Sequence, residues 1–151
     1  MGTTFETIYD RALITIQDYH LDKVAQEDYK AFTDYLQGIL VFSVPYFDKC
    51  KQSLAYSITE DEASFNSTLT EKEINILAEF MVINWFNGKV QDVVQFESKI
   101  HNREFKTLSE AQNFKAKILH LDELREKCRQ DITEYSLSKE NFAKIFNITL
   151  N

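Results

Sequence analysis

Three glycines and one proline in 151 residues leave this chain few places to turn tightly. A sheet of many short strands needs Gly, Pro or Asn-Gly punctuation roughly every ten residues, so helices have to carry the fold. The expected class is all-α, a small helical bundle with a long C-terminal helix and an apolar C-terminal tail. With 44% of its residues hydrophobic, a chain of this length forms about one domain and buries a core without disulfide or metal staples. The pattern divides it into a helical domain over 1–135 and a tail over 136–151.

Thr3-x-x-Glu6 has the form of a capping box, and Phe5, Ile8, Tyr9, Ala12, Leu13 and Ile16 repeat behind it at three and four residues. Asp18 to Glu27 is less periodic and reads as a connection with one helical turn at most. From Asp28 onward Tyr29, Phe32, Leu36, Ile39, Ser43, Phe47, Cys50 and Leu54 keep helical spacing across Pro45, which predicts one helix bent at the proline. Ala55 to Leu69 holds the acid run Glu60-Asp61-Glu62 among small polar residues and reads as a long exposed loop, a place where partner contacts concentrate.

The strongest local signal is Leu69-Thr70-Glu71-Lys72-Glu73-Ile74, where Thr70 caps, Glu73 reaches back and Leu69 staples onto Ile74. Ile74, Leu77, Ala78, Met81, Val82 and Trp85 then form a buried stripe, and Asn87-Gly88 supplies an end for that helix. Val90, Val93, Val94 and Phe96 suggest a short helix, with a strand left open by their β-branching. The longest helix opens at Thr107-x-x-Glu110 or Ser109-x-x-Gln112 and runs at near-heptad spacing through Ala111, Phe114, Ile118, Leu121, Leu124 or Arg125, Cys128, Ile132 and Tyr135. Beyond it, Phe142, Ile145, Phe146, Ile148 and Leu150 are too apolar for a free terminus. They either fold back onto the bundle or bind a partner, and are the partner-binding candidates.

Seventeen Lys and Arg against 24 Asp and Glu give a formal charge of -7, which argues against a phosphate-binding groove and against an acidic membrane surface. Every apolar stretch is interrupted well short of the roughly 20 residues a bilayer requires, so no membrane contact is expected. The start of the chain has no basic region before an apolar run, so no secretory signal is read there. Cys50 and Cys128 lie on apolar stripes and read as reduced, buried thiols. His20, His101 and His120 are scattered, and no HExxH, paired Cys-His cluster, G-x-S-x-G or Gly-rich phosphate loop occurs. No catalytic residue, metal or cofactor is expected, and the chain does not read as an enzyme.

Three stretches carry a resemblance: TIYDRALITIQDY at Thr7 to Tyr19, LTEKEINILAEFMVINWFN at Leu69 to Asn87, and EFKTLSEAQNFKAKILHLDELREKCRQDITEY at Glu104 to Tyr135. In order and spacing they resemble the small helical neck proteins of tailed bacteriophages infecting Gram-positive hosts, the head-to-tail adaptors or connectors beneath the portal. The resemblance implies a virion structural subunit, assembled in the host cytoplasm and resident in the virion neck. It implies a homo-oligomeric ring of roughly twelve copies that extends the DNA channel, touches the portal protein and neighbouring neck or tail proteins, and lets genomic DNA pass without specific binding. In such a ring Glu60, Asp61 and Glu62 are candidates for the channel lining, and the apolar tail is a candidate clasp. The competing reading is a small acidic phage regulatory protein that mimics DNA and blocks a host protein. It calls for acids grouped on one surface, whereas those of the last long helix alternate with Lys and Arg.

Overall fold

The computed structural model describes residues 1–100 and 108–138, with side chains for all of these except His20, 92–100 and 108–114. The described chain is mostly helical. Five helices, α1 (Phe5–Leu13), α2 (Tyr19–Glu27), α3 (Tyr29–Ser43), α4 (Glu71–Ile100) and α5 (Leu108–Ser136), are joined by one small antiparallel hairpin, β1 (Tyr56–Ile58) and β2 (Ala63–Phe65).

The N-terminal segment differs in detail from the capping-box reading. Thr4, not Thr3, is the N-cap of α1, and its side chain makes no capping bond. Thr3 is drawn away by the segment before α4: its Oγ1 accepts the Leu69 N–H at 2.8 Å, and its N–H donates to the Ser67 carbonyl at 3.1 Å. α1 still buries the anticipated stripe of Phe5, Ile8, Tyr9 and Ala12. The segment after it is a full nine-residue helix, α2, because Leu21 and Ala25 pack inward against neighbours that sequence periodicity does not display.

Pro45 ends α3 instead of bending it. A proline there cannot donate to the carbonyl four residues back and its ring clashes with that carbonyl, so the chain tightens into one 3-10 turn, Val44–Tyr46, and leaves the helix axis. Ser43 at the end of α3 is fully buried, donates to the Ile39 carbonyl at 2.7 Å and accepts from Asn84 Nδ2 at 2.8 Å. Cys50 and Leu54 therefore reach the core from a loop, not from a helical stripe.

The span read as a long loop contains the hairpin, paired Tyr56 with Phe65, Ser57 with Ser64 and Ile58 with Ala63. Three-residue strands are too short for a visible alternation, and the turn contains neither Gly nor Asn. Burial of Phe65 and an added bridge from Thr4 to Ser64 hold the hairpin instead. Gly2 shows how closely the N-terminal segment lies on it, since a Cβ at that position would stand 1.5 Å from the Phe65 carbonyl oxygen.

The Thr70 box forms as its sequence dictates: the Glu73 N–H donates to Thr70 Oγ1 at 3.4 Å and the Thr70 N–H donates to Glu73 Oε2 at 2.8 Å. The helix does not stop at Asn87-Gly88, however. α4 runs 30 residues to Ile100, through Gly88 and across the residues read as a separate short helix. A helical glycine costs about 1 kcal/mol relative to alanine, less than the packing of Ile83, Phe86 and Val90 against Leu121 and Leu124 of α5 contributes.

α4 is the centre of the molecule. α1 and α3 pack on its first half, and α5 returns antiparallel along it, as the pairing of Glu73 with Tyr135 and of Phe86 with His120 requires. At 1.5 Å per residue the two long helices are each about 45 Å. The main core gathers Phe5, Ile8, Leu36, Leu40, Phe47, Phe65, Leu77, Met81 and Tyr135, and a smaller one of Ile83, Leu121 and Cys128 continues it between α4 and α5. The tail residues Phe142, Ile145, Phe146, Ile148 and Leu150 lie outside the described residues.

Candidate functional site

The acid run sits at the tip of the hairpin. Thr59 closes the turn: its N–H and Oγ1 donate to the Glu62 carbonyl at 2.9 and 2.8 Å, and its Oγ1 accepts the Glu62 N–H at 3.0 Å. Glu60, Asp61 and Glu62 are all exposed. The root is fixed by Phe65, buried with its ring 4.9 Å from Phe5, and by the Phe65 N–H donating to the Thr3 carbonyl at 2.8 Å. Three adjacent carboxylates are thus presented on a short arm rooted in the core.

A second surface lies between the 3-10 turn, α4 and α5. A groove of about 370 Å³ opens there, with Tyr46, Phe80, Ile83 and Ile132 in its apolar lining and Lys49, Arg125 and Arg129 around it. Tyr46 is 52% exposed and its ring stacks tilted on Phe80 at 5.9 Å, so aromatic surface faces water at one end. Among the described residues no Asp or Glu lines this groove. Arg125 donates to Asn87 Oδ1 at 3.5 Å and lies 3.6 Å from Asp122, while Arg129 takes both oxygens of Glu126 at 3.0 and 2.7 Å.

Two polar knots tie α4 to α5, the first of them buried. The Tyr135 hydroxyl donates to Glu73 Oε1 at 2.6 Å and accepts the Lys51 N–H at 2.7 Å, joining the start of α4, the end of α5 and the loop after the 3-10 turn. Burial alone would raise the Glu73 pKa, but the bonds from Tyr135 and Thr70 outweigh it and hold the carboxyl below its ordinary value. Farther along, Lys127 bridges Glu79 and Asp131. Burial first, and the neighbouring Asp131 second, push Glu79 up to about 7, and its Oε2 is buried without a hydrogen-bond partner. Lys127 and Glu134 of α5 thus both reach across to α4, Glu134 lying 3.6 Å from Lys72.

Cys50 and Cys128 are free thiols, pushed by burial to about 11 and about 12. Neither is poised as a nucleophile at neutral pH. Among the described residues no group of three metal-ligating side chains converges, and no helix is long and apolar enough to cross a membrane.

The acid run is legible in the sequence and the groove is not. Arg125 and Arg129 lie one turn apart beside the Cys128 and Ile132 stripe, a signal visible in the sequence. Lys49 joins them only because Pro45 turns the chain, and no local pattern announces that. No protein-family model matches this chain, and neither a curated protein nor a solved structure matches it.

Proposed function

We propose that this chain is a head-to-tail adaptor subunit of a tailed-phage neck, forming a ring below the portal and extending the DNA channel. The observation that carries the reading is the mutual packing of the resembling stretches. Thr7 to Tyr19 supplies most of α1, Leu69 to Asn87 the first half of α4, and Glu104 to Tyr135 nearly all of α5. Ile8 and Ala12, Leu77 and Met81, and Tyr135 from these stretches meet in one core. Such packing is what a shared small bundle requires.

The role is mechanical. A -7 subunit repeated around a channel presents a negative lumen that repels phosphates and lets the duplex slide. The long α4 and α5 pair supplies a stiff strut along which a ring stacks on its neighbours. The tail 136–151 is the clasp: Phe142, Ile145 and Phe146 fall at helical spacing and suit an apolar slot on the portal protein. The regulatory, DNA-mimic alternative is disfavoured because acids of α5 are matched by cations one turn away, Asp122 by Arg125, Glu126 by Arg129 and Asp131 by Lys127.

The test is the double variant Phe142→Asp/Phe146→Asp in the full chain, offered to the immobilised portal protein of the same genome. The proposal expects an unchanged thermal midpoint with binding reduced by at least about a hundredfold, as for two lost hot-spot anchors. A variant that melts markedly earlier assigns the tail to the core instead, and one that binds as well as the parent removes the clasp.

A further inference from the structure

We infer that two copies of this chain meet head to tail, the acidic hairpin tip of one seated in the basic-rimmed groove between the 3-10 turn, α4 and α5 of the next. The inference rests on the ring proposed above and names the contact that builds it.

Charge complementarity selects the occupant. In a chain whose acids outnumber its bases 24 to 17, the groove is lined, among the described residues, by three cations and no acid. The exposed tip carries three carboxylates in succession and no base, and beside them Ile58 is 47% exposed, an apolar residue for the apolar floor. The pairs of Arg125 with Asp122 and Arg129 with Glu126 are exposed and three residues apart, so a partner carboxylate replaces them at little cost.

Geometry prevents the contact within one chain. The tip lies over a cleft shared with Tyr29, Thr33 and Gln37, in the first half of α3, whereas the groove begins at Tyr46, beyond the other end of that helix. Even from Gln37, the end of that cleft nearest the groove, Tyr46 is nine residues on, roughly 13 Å at helical rise, and the hairpin is held at its own cleft by Phe65 in the core. Tip and groove are different patches of the surface, so their union is heterologous, the kind of contact that closes a ring or continues as a filament. Glu60, Asp61 and Glu62 then belong to the seam between copies and not to the lumen.

The experiment is sedimentation of the full chain over a concentration series at low and moderate salt, with two charge-reversed variants. One is Glu60→Lys/Asp61→Lys/Glu62→Lys, the other Lys49→Glu/Arg125→Glu/Arg129→Glu; thermal melts confirm that both fold, as exposed positions should allow. The parent is expected to self-associate, more weakly as salt rises. Each variant alone should lose at least about a hundredfold in association, because like charges then face each other. An equimolar mixture should recover it, since both seams are again complementary when the variants alternate. Association untouched by either reversal overturns this contact while leaving the ring standing. A parent that stays monomeric throughout overturns the contact and leaves the adaptor reading to the portal-binding test. If Phe142→Asp/Phe146→Asp abolishes association and the reversals do not, the contact is overturned and the seam is made by the tail.

Discussion

Replacing Tyr135 by Phe tests the knot on which the two long helices converge. The substitution keeps the ring, 4% exposed and packed edge-on to Phe47 at 5.5 Å, and removes one oxygen. That oxygen donates to Glu73, itself 1% exposed, and accepts the Lys51 N–H. A lost bond to a buried carboxylate costs about 1.5–3 kcal/mol and an orphaned backbone N–H about 1, so Tyr135→Phe should cost roughly 3 kcal/mol. For a domain of this size that is a fall of about 10 °C in Tm. Urea and thermal unfolding at pH 7 measure it, with an unchanged urea dependence showing that the same surface is exposed on unfolding. The sign with pH is fixed too. Glu73 is held below its ordinary value in the folded state, so its stabilisation is present above the unfolded value of 4.5 and is lost as pH falls through the folded one. The deficit of Tyr135→Phe should therefore be full at pH 7 and shrink below about pH 4.5. A loss under about 1 kcal/mol at pH 7, or one that grows on acidification, would refute the reasoning.

Glu79 gives the opposite pH signature. Its folded value of about 7 lies above the ordinary 4.5, so between those limits the folded state holds the extra proton and stability drains as pH rises. Glu79→Gln should remove up to roughly 3 kcal/mol of that slope, read as a variant-minus-parent difference growing in favour of the variant from pH 5 to 8. Gly88→Ala should stabilise α4 by about 0.5–1 kcal/mol in urea unfolding, because the added methyl meets nothing within 4 Å. Gly2→Ala should destabilise by about 1–3 kcal/mol, or free the N-terminal segment from the hairpin as read by faster amide exchange at Thr3 and Phe65. Cys128 should resist a thiol reagent at pH 8 until the chain is unfolded, with Cys50 reacting sooner because it is only half-buried.

What the residues disclosed about the fold follows from the range of each interaction. The Thr70 and Glu73 box is made by groups three residues apart, and the structure contains it as written. The stripes of α1 and of α5 are likewise local periodicities and reappear as Ile8 with Ala12 and Leu121 with Cys128 in the cores, but Ile118, one turn before Leu121, lies exposed where α5 leaves the core. The misreadings all turn on distant partners. Gly88 reads as a helix end, but α5 packs across it; Thr3 reads as a cap, but Leu69 takes its hydroxyl. Pro45 announces a break in α3 without saying whether the chain bends or stops, and a single 3-10 turn decides it. The same holds for function. The three acids of the hairpin tip are contiguous and legible, while the basic groove assembles Lys49 with Arg125 and Arg129 only after folding.

The adaptor reading meets its most direct test in native mass spectrometry of the full chain, alone and mixed with the portal protein of the same genome. The account predicts a discrete complex of one portal oligomer with one ring's worth of this chain, roughly twelve copies. Failure to form any complex across salt conditions, with both proteins folded, would contradict it.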